Sequence, residues 1–252
     1  MLTQERFDKI LSLLDSKKSV TVQELVDILN TSESTVRRDL NLLDKQGKLH
    51  KVHGGATVAN TKSTVIRTED DIKTKSFLYS KEKELIGRYA ATLIKDDDLV
   101  YIDAGTSTEK LIHFIPNNSK ATFVTNGIDH ARELIHKGLR TFVIGGELKL
   151  STEAIIGVTA INNLNSYNFS KCFLGTNGIT VNNGFTTPDI DEAMLKHKAY
   201  EKSYITYILA DHSKFNRVFA MSFGDLSKAC IITDKVTDPI FKEHTIIKEV
   251  EE

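Results

Sequence analysis

Residues 103–108, Asp-Ala-Gly-Thr-Ser-Thr, follow an apolar run and lead into a helical pattern. Such a small, hydroxyl-rich turn leaves backbone N–H groups free at a helix N-terminus, where the dipole favours an anion. Asp103 adds a carboxylate that can accept hydrogen bonds from a ligand or serve as a base. Similar polar groups close other apolar runs: Thr125-Asn126-Gly127, Gly145-Gly146-Glu147, Gly175-Thr176-Asn177-Gly178, Thr186-Thr187-Pro188-Asp189, and Asp211 with Ser213, Lys214 and Phe215. A single strand end with a glycine is usually a turn, but several in one half of a chain indicate one polar crevice. Its candidate ligand contacts are Asp103, Gly105, Thr106, Ser107, Thr108, Thr125, Asn126, Gly146, Glu147, Asn177, Asp211 and Lys214. Lys214 would supply a point charge.

A second constellation lies near the N-terminus. Placed on a helix, Val36, Leu40 and Leu43 share one face. Ser34, Arg38, Asn41 and Lys45 fall on the opposite face, with Arg37 on the flank. A helix that reads DNA needs this arrangement, short hydrogen-bonding groups at its start and longer cations behind. Lys51 and His53 would extend the basic surface, and Asp39 and Asp44 dilute its charge. Dilution implies that tight DNA binding needs more than one copy. A solvated helix face would also be polar. The adjacent arginines, the compact helical surroundings and the basic segment that follows favour the DNA reading.

The elements that position these residues have two grammars. Residues 3–46 show helical periodicity only. Thr21 and Glu24 suit a capping box, Ser32 an N-cap, and Gly47 a residue just past a helix end. "KLHKVHGGA" suits a hairpin, so residues 1–57 read as a winged helix-turn-helix. Residues 58–75 are polar and poorly periodic, and are expected to be a linker. In residues 76–252 apolar runs ("LVYID", "ATFVTN", "TFVIGG", "KCFLG", "YITYILAD", "ACIITD") alternate with amphipathic helices. The expected class is α/β, with a mostly parallel sheet covered on both faces.

Net charge is −1, so bulk charge points to neither nucleic acid nor membrane, and a DNA site must be local. No apolar run reaches the length of a membrane span, and no signal peptide is visible, so a cytoplasmic protein is expected. Cys172 and Cys230 lie in strand-like runs and read as buried free thiols. Walker, dinucleotide and metal-ligand spacings are absent, so no metal and no cofactor are expected.

The core "S-x-x-T-V-R-R-D-L" at Ser32 and Thr35 to Leu40, with "V-H-G-G-A" at Val52 to Ala56, resembles the DeoR family of bacterial transcription regulators. The landmarks "DAGTST", "VTN", "GGEL", "FLGTNGI", "GFTTPD" and "ADHSKF" extend the resemblance along nearly all of residues 76–235. It implies a C-terminal domain folded like ribose-5-phosphate isomerase and glucosamine-6-phosphate deaminase, with the Gly105–Thr108 loop as the sugar-phosphate cradle. It further implies a homodimeric or homotetrameric repressor of sugar genes, bound to double-stranded operator DNA and released by a phosphorylated sugar. Fructose 1-phosphate is the effector we favour. Ser32, Ser34, Thr35, Arg37, Arg38, Asn41, Lys45, Lys51 and His53 are the expected DNA contacts. Two other classes compete: a sugar-phosphate isomerase or deaminase fused to a helical module, and a protein whose N-terminal helices only dimerise. Enolisation needs a carboxylate base; the related isomerases carry an aspartate-bracketed turn where this chain has "LGTNGI", whose Thr176 and Asn177 cannot take up a proton near neutral pH. No catalytic residue is therefore expected.

Overall fold

The structure is a computed structural model that describes residues 2–58 and 72–251, apart from the side chain of Lys73. The chain forms two compact units, Met1–Thr64 and Val65–Glu252.

The first unit runs α1 (Thr3–Lys17), β1 (Ser19–Thr21), α2 (Val22–Leu29), α3 (Glu33–Lys45), β2 (Leu49–Val52) and β3 (Gly55–Val58). Helices α2 and α3 begin where side chains satisfy orphan amides. Thr21 Oγ1 accepts from Glu24 N at 3.1 Å while Glu24 Oε2 accepts from Thr21 N at 2.9 Å, closing the expected capping box. Ser32 Oγ accepts from Thr35 N and starts α3. Gly47, at φ +69°, takes the left-handed turn past the end of α3 without steric cost. Ile10, Leu14, Leu25, Val36, Leu40 and Leu43 form the centre of one core. The wing gains a strand that the sequence did not suggest, since β1 pairs with β3 to give the order β1-β3-β2. Val58 completes β3 and a helix begins at Ile72, so the expected linker loses both ends to regular structure. Its remainder, 59–71, lies outside the described residues.

The second unit contains α4 (Ile72–Phe77), α5 (Ser80–Ala91), β4 (Leu99–Ile102), α6 (Thr106–Phe114), β5 (Thr122–Thr125), α7 (Ile128–His136), β6 (Arg140–Val143), β7 (Glu147–Leu148), β8 (Ile155–Ile156) and α8 (Gly157–Leu164). It continues through β9 (Phe169–Gly175), β10 (Gly178–Thr180), β11 (Gly184–Thr187), α9 (Ile190–Glu201), β12 (Ser203–Leu209), β13 (Met221–Gly224), β14 (Cys230–Thr233) and β15 (Ile246–Glu249). Seven strands form a parallel sheet in the order β15-β14-β12-β9-β4-β5-β6. A small antiparallel sheet, β10-β11-β13, and the pair β7-β8 complete the unit.

Both faces of the large sheet are covered. Tyr101, Val124, Cys172, Leu174 and Ile208 face α8 and α9, whereas Val100, Ile102, Phe123, Phe173 and Leu209 face α5, α6 and α7. Two buried faces explain why the strands read as continuous apolar runs and not as alternating ones. Helix α5 crosses α6 closely at Gly87, where a Cβ would stand 2.6 Å from the carbonyl carbon of Lys110. Cys172 is buried, as expected, and Cys230 is partly so; burial pushes both thiols up and leaves them weakly reactive.

Leu40 is fully buried and Leu42 is 42% exposed on the same helix. Leu40→Ala should destabilise α3 by about 2–5 kcal/mol, and Leu42→Ala by about 0.5 kcal/mol or less. Native-state hydrogen exchange of the α3 amides in the full chain measures both. Equal effects would contradict a helix that turns Leu40 into the core and Leu42 toward solvent.

Candidate functional site

In the parallel sheet, β5 and β6 extend from one side of β4, and β9 with β12, β14 and β15 from the other. The chain therefore reverses its order between β4 and β9, and open α/β sheets bind ligands beyond the carboxyl ends of strands at such a point. Asp103 follows β4 directly. Its backbone N donates to Phe173 O at 3.0 Å, and its Oδ2 accepts from Gly175 N at 3.1 Å. The same oxygen receives the Lys196 ammonium from α9, which also reaches Gly175 O at 3.2 Å. Burial pushes the Asp103 carboxyl up, against the pull of Lys196 and the Gly175 amide.

Above this pair opens a cavity of about 230 Å³. One wall is Ala104, Gly105, Thr106 and Ser107, the start of α6, where no side chain caps the helix. Its first amides and the positive dipole end are thus available to an anion. Lys83, Lys196, Lys214 and Arg217 supply cationic side chains, and Thr152, Asn177 and Ser213 supply neutral polar ones. Glu192 also lines the cavity, but its Oε1 accepts from Lys149 Nζ at 3.0 Å and Thr152 Oγ1 at 2.7 Å. Asp189 starts α9 by accepting from Glu192 N at 3.0 Å and pairs with Lys149 at 2.9 Å. Lys149 is thus shared by two acids, while Asp103 and Asp211 pair with Lys196 and Lys214; Lys83 and Arg217, which pair with no acid among the described residues, leave the cavity with excess positive charge.

Gly105, Thr106, Ser107, Asn177 and Lys214, all expected ligand contacts, line the cavity. Five others stand behind it. Asp103 holds Lys196. Thr108 Oγ1 donates to Asp103 O at 2.6 Å and folds the loop onto itself. Asn126 Oδ1 accepts from Ala104 N at 2.8 Å while its Nδ2 donates to Ile155 O at 3.2 Å. Thr125 Oγ1 accepts from Gly127 N at 3.1 Å. Asp211 is fully buried, accepts from Ser213 N at 3.0 Å and lies 3.7 Å from Lys214 Nζ. These five brace the site rather than line it. Gly146 and Glu147 do not line the cavity; Gly146 packs against Ile156 O, and Glu147 is exposed in β7. Lys83 and Lys196 went unpredicted because they sit in helical patterns away from strand ends, and Arg217 because it lies in the loop just beyond the Asp211–Phe215 segment.

His130 supports the loop from below. It is buried, its Nε2 lies 3.3 Å from Gly105 N and 3.1 Å from Thr108 Oγ1, and burial lowers its pKa to about 4.

In the first unit, Ser32, Ser34, Arg37, Arg38, Asn41, Lys45, Lys51 and His53 are all exposed, and Thr35 is half-buried. Arg37 is held by Glu33 at 2.6 Å, whereas Arg38 has no side-chain partner among the described residues. Lys51 of the wing donates to Asn41 Oδ1 at 2.7 Å, which ties wing and helix into one surface. Asp39 does not dilute that surface as expected. It is 2% exposed and faces inward, where Arg6 of α1 binds it with Nε at 2.7 Å and a second nitrogen at 3.2 Å. Asp44 instead accepts from Lys51 N at 3.0 Å, and that bond lowers its pKa.

Comparison with known proteins gives the same division. Residues 6–62 match the profile of the DeoR-like helix-turn-helix domain, and residues 79–235 match the DeoR C terminal sensor domain. The chain is 41% identical, over 99% of both chains, to a Bacillus subtilis (strain 168) protein described as an uncharacterized HTH-type transcriptional regulator, FruR. It is 36% identical, over 90% of both chains, to the lactose phosphotransferase system repressor of Staphylococcus aureus (strain MRSA252). Among solved structures, ribose 5-phosphate isomerase A of Methanocaldococcus jannaschii matches 54% of this chain and 55% of its own, at 12% identity and a TM-score of 0.41. At that distance the likeness has no bearing on activity.

The buried imidazole generates a pH dependence. An unfolded histidine titrates near about 6.5, so as pH falls the unfolded chain binds a proton before His130 does. Stability present above that value is lost as pH drops toward 4. An NMR titration should place the His130 midpoint near 4, and His130→Gln should flatten the stability slope across that window. A midpoint close to the unfolded value would contradict this packing.

Proposed function

The chain belongs to the DeoR family of transcriptional regulators, and from that premise we propose that it represses sugar-catabolism or sugar-transport genes until a phosphorylated sugar binds its second unit. The observation that carries this reading is the cavity at the β4/β9 reversal, which joins an uncapped helix start to an excess of cations. A phosphomonoester dianion matches both features, and Asn177, Thr152 and Ser213 offer partners for sugar hydroxyls. That one relative is a lactose phosphotransferase system repressor favours a sugar-linked operon for this chain too. Fructose 1-phosphate is the effector we propose.

The chain is a regulator and not an enzyme. Thr176 Oγ1 donates to the carbonyls of Gly178 and Thr186, and Asn177 Oδ1 accepts from Thr187 Oγ1. Neither side chain can accept a substrate proton near neutral pH. Glu192 is engaged by Lys149 and Thr152.

Operator binding is assigned to the exposed start of α3, with Ser34, Arg38 and Asn41 toward base edges and Arg37, Lys45, Lys51 and His53 toward phosphates. Few cations act per copy, so a dimer or tetramer is the form that would bind operator DNA tightly. Effector binding must favour a form of the chain with lower operator affinity, because only differential affinity shifts such an equilibrium.

Thermal unfolding with a panel of fructose 1-phosphate, tagatose 6-phosphate, glycerol 3-phosphate and deoxyribose phosphates tests sensing. Fructose 1-phosphate should add about 2.7 kcal/mol of stability at a hundredfold excess over its Kd and release the operator. No shift and no release with any of the four would refute the sensing half. Arg38→Ala should weaken operator binding by about 1–3 kcal/mol without lowering the melting temperature. Unchanged affinity and sequence preference in a binding isotherm would remove Arg38 from the reading face.

A further inference from the structure

The large sheet ends at β6, and no strand among the described residues pairs with its outer side. Ile144 N donates to Thr125 O of β5, so by alternation the main-chain groups of Arg140 and Phe142 face β5 as well. Those of Thr141 and Val143 point outward. Gly145 N, next in that outward row, donates to Asn163 Oδ1 of α8 at 3.0 Å, which marks where cover of the edge begins.

The side chains along this edge are apolar on both faces of the sheet. Phe142, in register with Val124, lies on the α8 and α9 side and is 42% exposed. Val143, in register with Thr125, lies on the α7 side and is 43% exposed. Helix α7, which packs on β6, leaves Ile128 and Ile135 exposed along one stripe. The one charge in the strand, Arg140, lies over the Phe142 ring at 5.5 Å. Soluble proteins usually guard a sheet edge with charges, and β15 at the other end of the sheet does so. It carries Lys248 and Glu249, and Glu249 pairs with Lys242 at 2.6 Å and accepts from Val236 N at 3.0 Å. Residues 141–144 carry no charge at all.

We infer that β6 is the surface through which two copies of this chain associate, antiparallel and edge to edge about a two-fold axis. Antiparallel pairing of a strand with its own copy closes after two chains, whereas a parallel addition leaves a new edge open. Centred on Phe142, the pairing lets Thr141 and Val143 of each copy exchange N–H···O bonds with Val143 and Thr141 of the other. The same register sets Phe142 against Phe142, an aromatic pair, and Arg140 against Ile144, so that no like charges oppose each other. The interface rests on the reading that tight operator binding needs more than one copy, and it names the surface that joins them.

Cross-linking and sedimentation of the full chain, without DNA, test the surface. Opposed residues outside the hydrogen-bonded pairs have Cα atoms about 4.5 Å apart, within the span of a disulfide. In a Cys230→Ser background, Phe142→Cys should therefore give a linked dimer under mild oxidation. Ile246→Cys, exposed on β15, should not. Val143→Pro removes an outward N–H without touching the bonds to β5, and should halve the sedimenting mass. Its operator affinity should fall at least tenfold. Linkage at Ile246→Cys in place of Phe142→Cys, or an unchanged mass in folded Val143→Pro, overturns the β6 interface. If Val143→Pro does not fold, the cross-link decides alone. A wild type that oligomerises without linking through Phe142→Cys refutes this surface and spares the multi-copy reading. A monomeric wild type that binds the operator tightly refutes both.

Discussion

The second unit is organised around one buried ion pair, Lys196 with Asp103. Both groups are almost fully buried, where an unpaired charge would be costly, and both are pinned by Gly175 at the end of β9. The pair joins three elements distant in sequence: the end of β4, the end of β9 and helix α9. It sits where the strand order reverses, so the geometry that demands a crevice also supplies the cation at its floor. Removing either partner would strand the other, which makes the pair a constraint on the whole crevice as well as a feature of it. Around it, Thr108, Asn126 and His130 use their hydrogen bonds to shape the Gly105–Thr108 loop. A loop braced this fully is held in one arrangement, as the proposed anion site requires.

The first unit follows a similar logic. Buried Asp39 is neutralised by Arg6, so an acid in the middle of α3 leaves the exposed face to Ser34, Arg38, Asn41 and Lys45. The ion pair also fastens α1 to α3, and the bond from Lys51 to Asn41 fastens the wing to the same helix. One rigid surface results, with cations on helix and wing alike.

Much of this was legible in the sequence, for identifiable reasons. The helix-turn-helix announced itself because its caps are local: Thr21 with Glu24, Ser32 with Thr35, Gly47 at the turn. The six long apolar runs became strands because a doubly covered sheet writes its burial into contiguous residues. Strand β1 was missed because three residues, Ser-Val-Thr, carry no period, and β15 because its burial is only partial. At the site, strand-end logic pointed to the loop and Lys214, which line the cavity, and to Asp103, Thr125, Asn126 and Asp211, which stand behind it. Polar residues after a strand can face the ligand or brace the backbone, and only three-dimensional partners separate the two. Lys83 and Lys196 were invisible for the opposite reason. A lysine in a helical pattern reads as solvent-facing, and nothing local reveals that α5 and α9 turn these two inward.

The account stands on an anion being recognised by the cation that Asp103 holds in place. Calorimetric titration of fructose 1-phosphate and of free fructose into the full chain, wild type and Lys196→Gln, tests that most directly. The wild type should bind the phosphorylated sugar and not the free one, and Lys196→Gln should lose at least tenfold in affinity while remaining folded. Equal binding of the two sugars, or an affinity unaltered by Lys196→Gln, would contradict it.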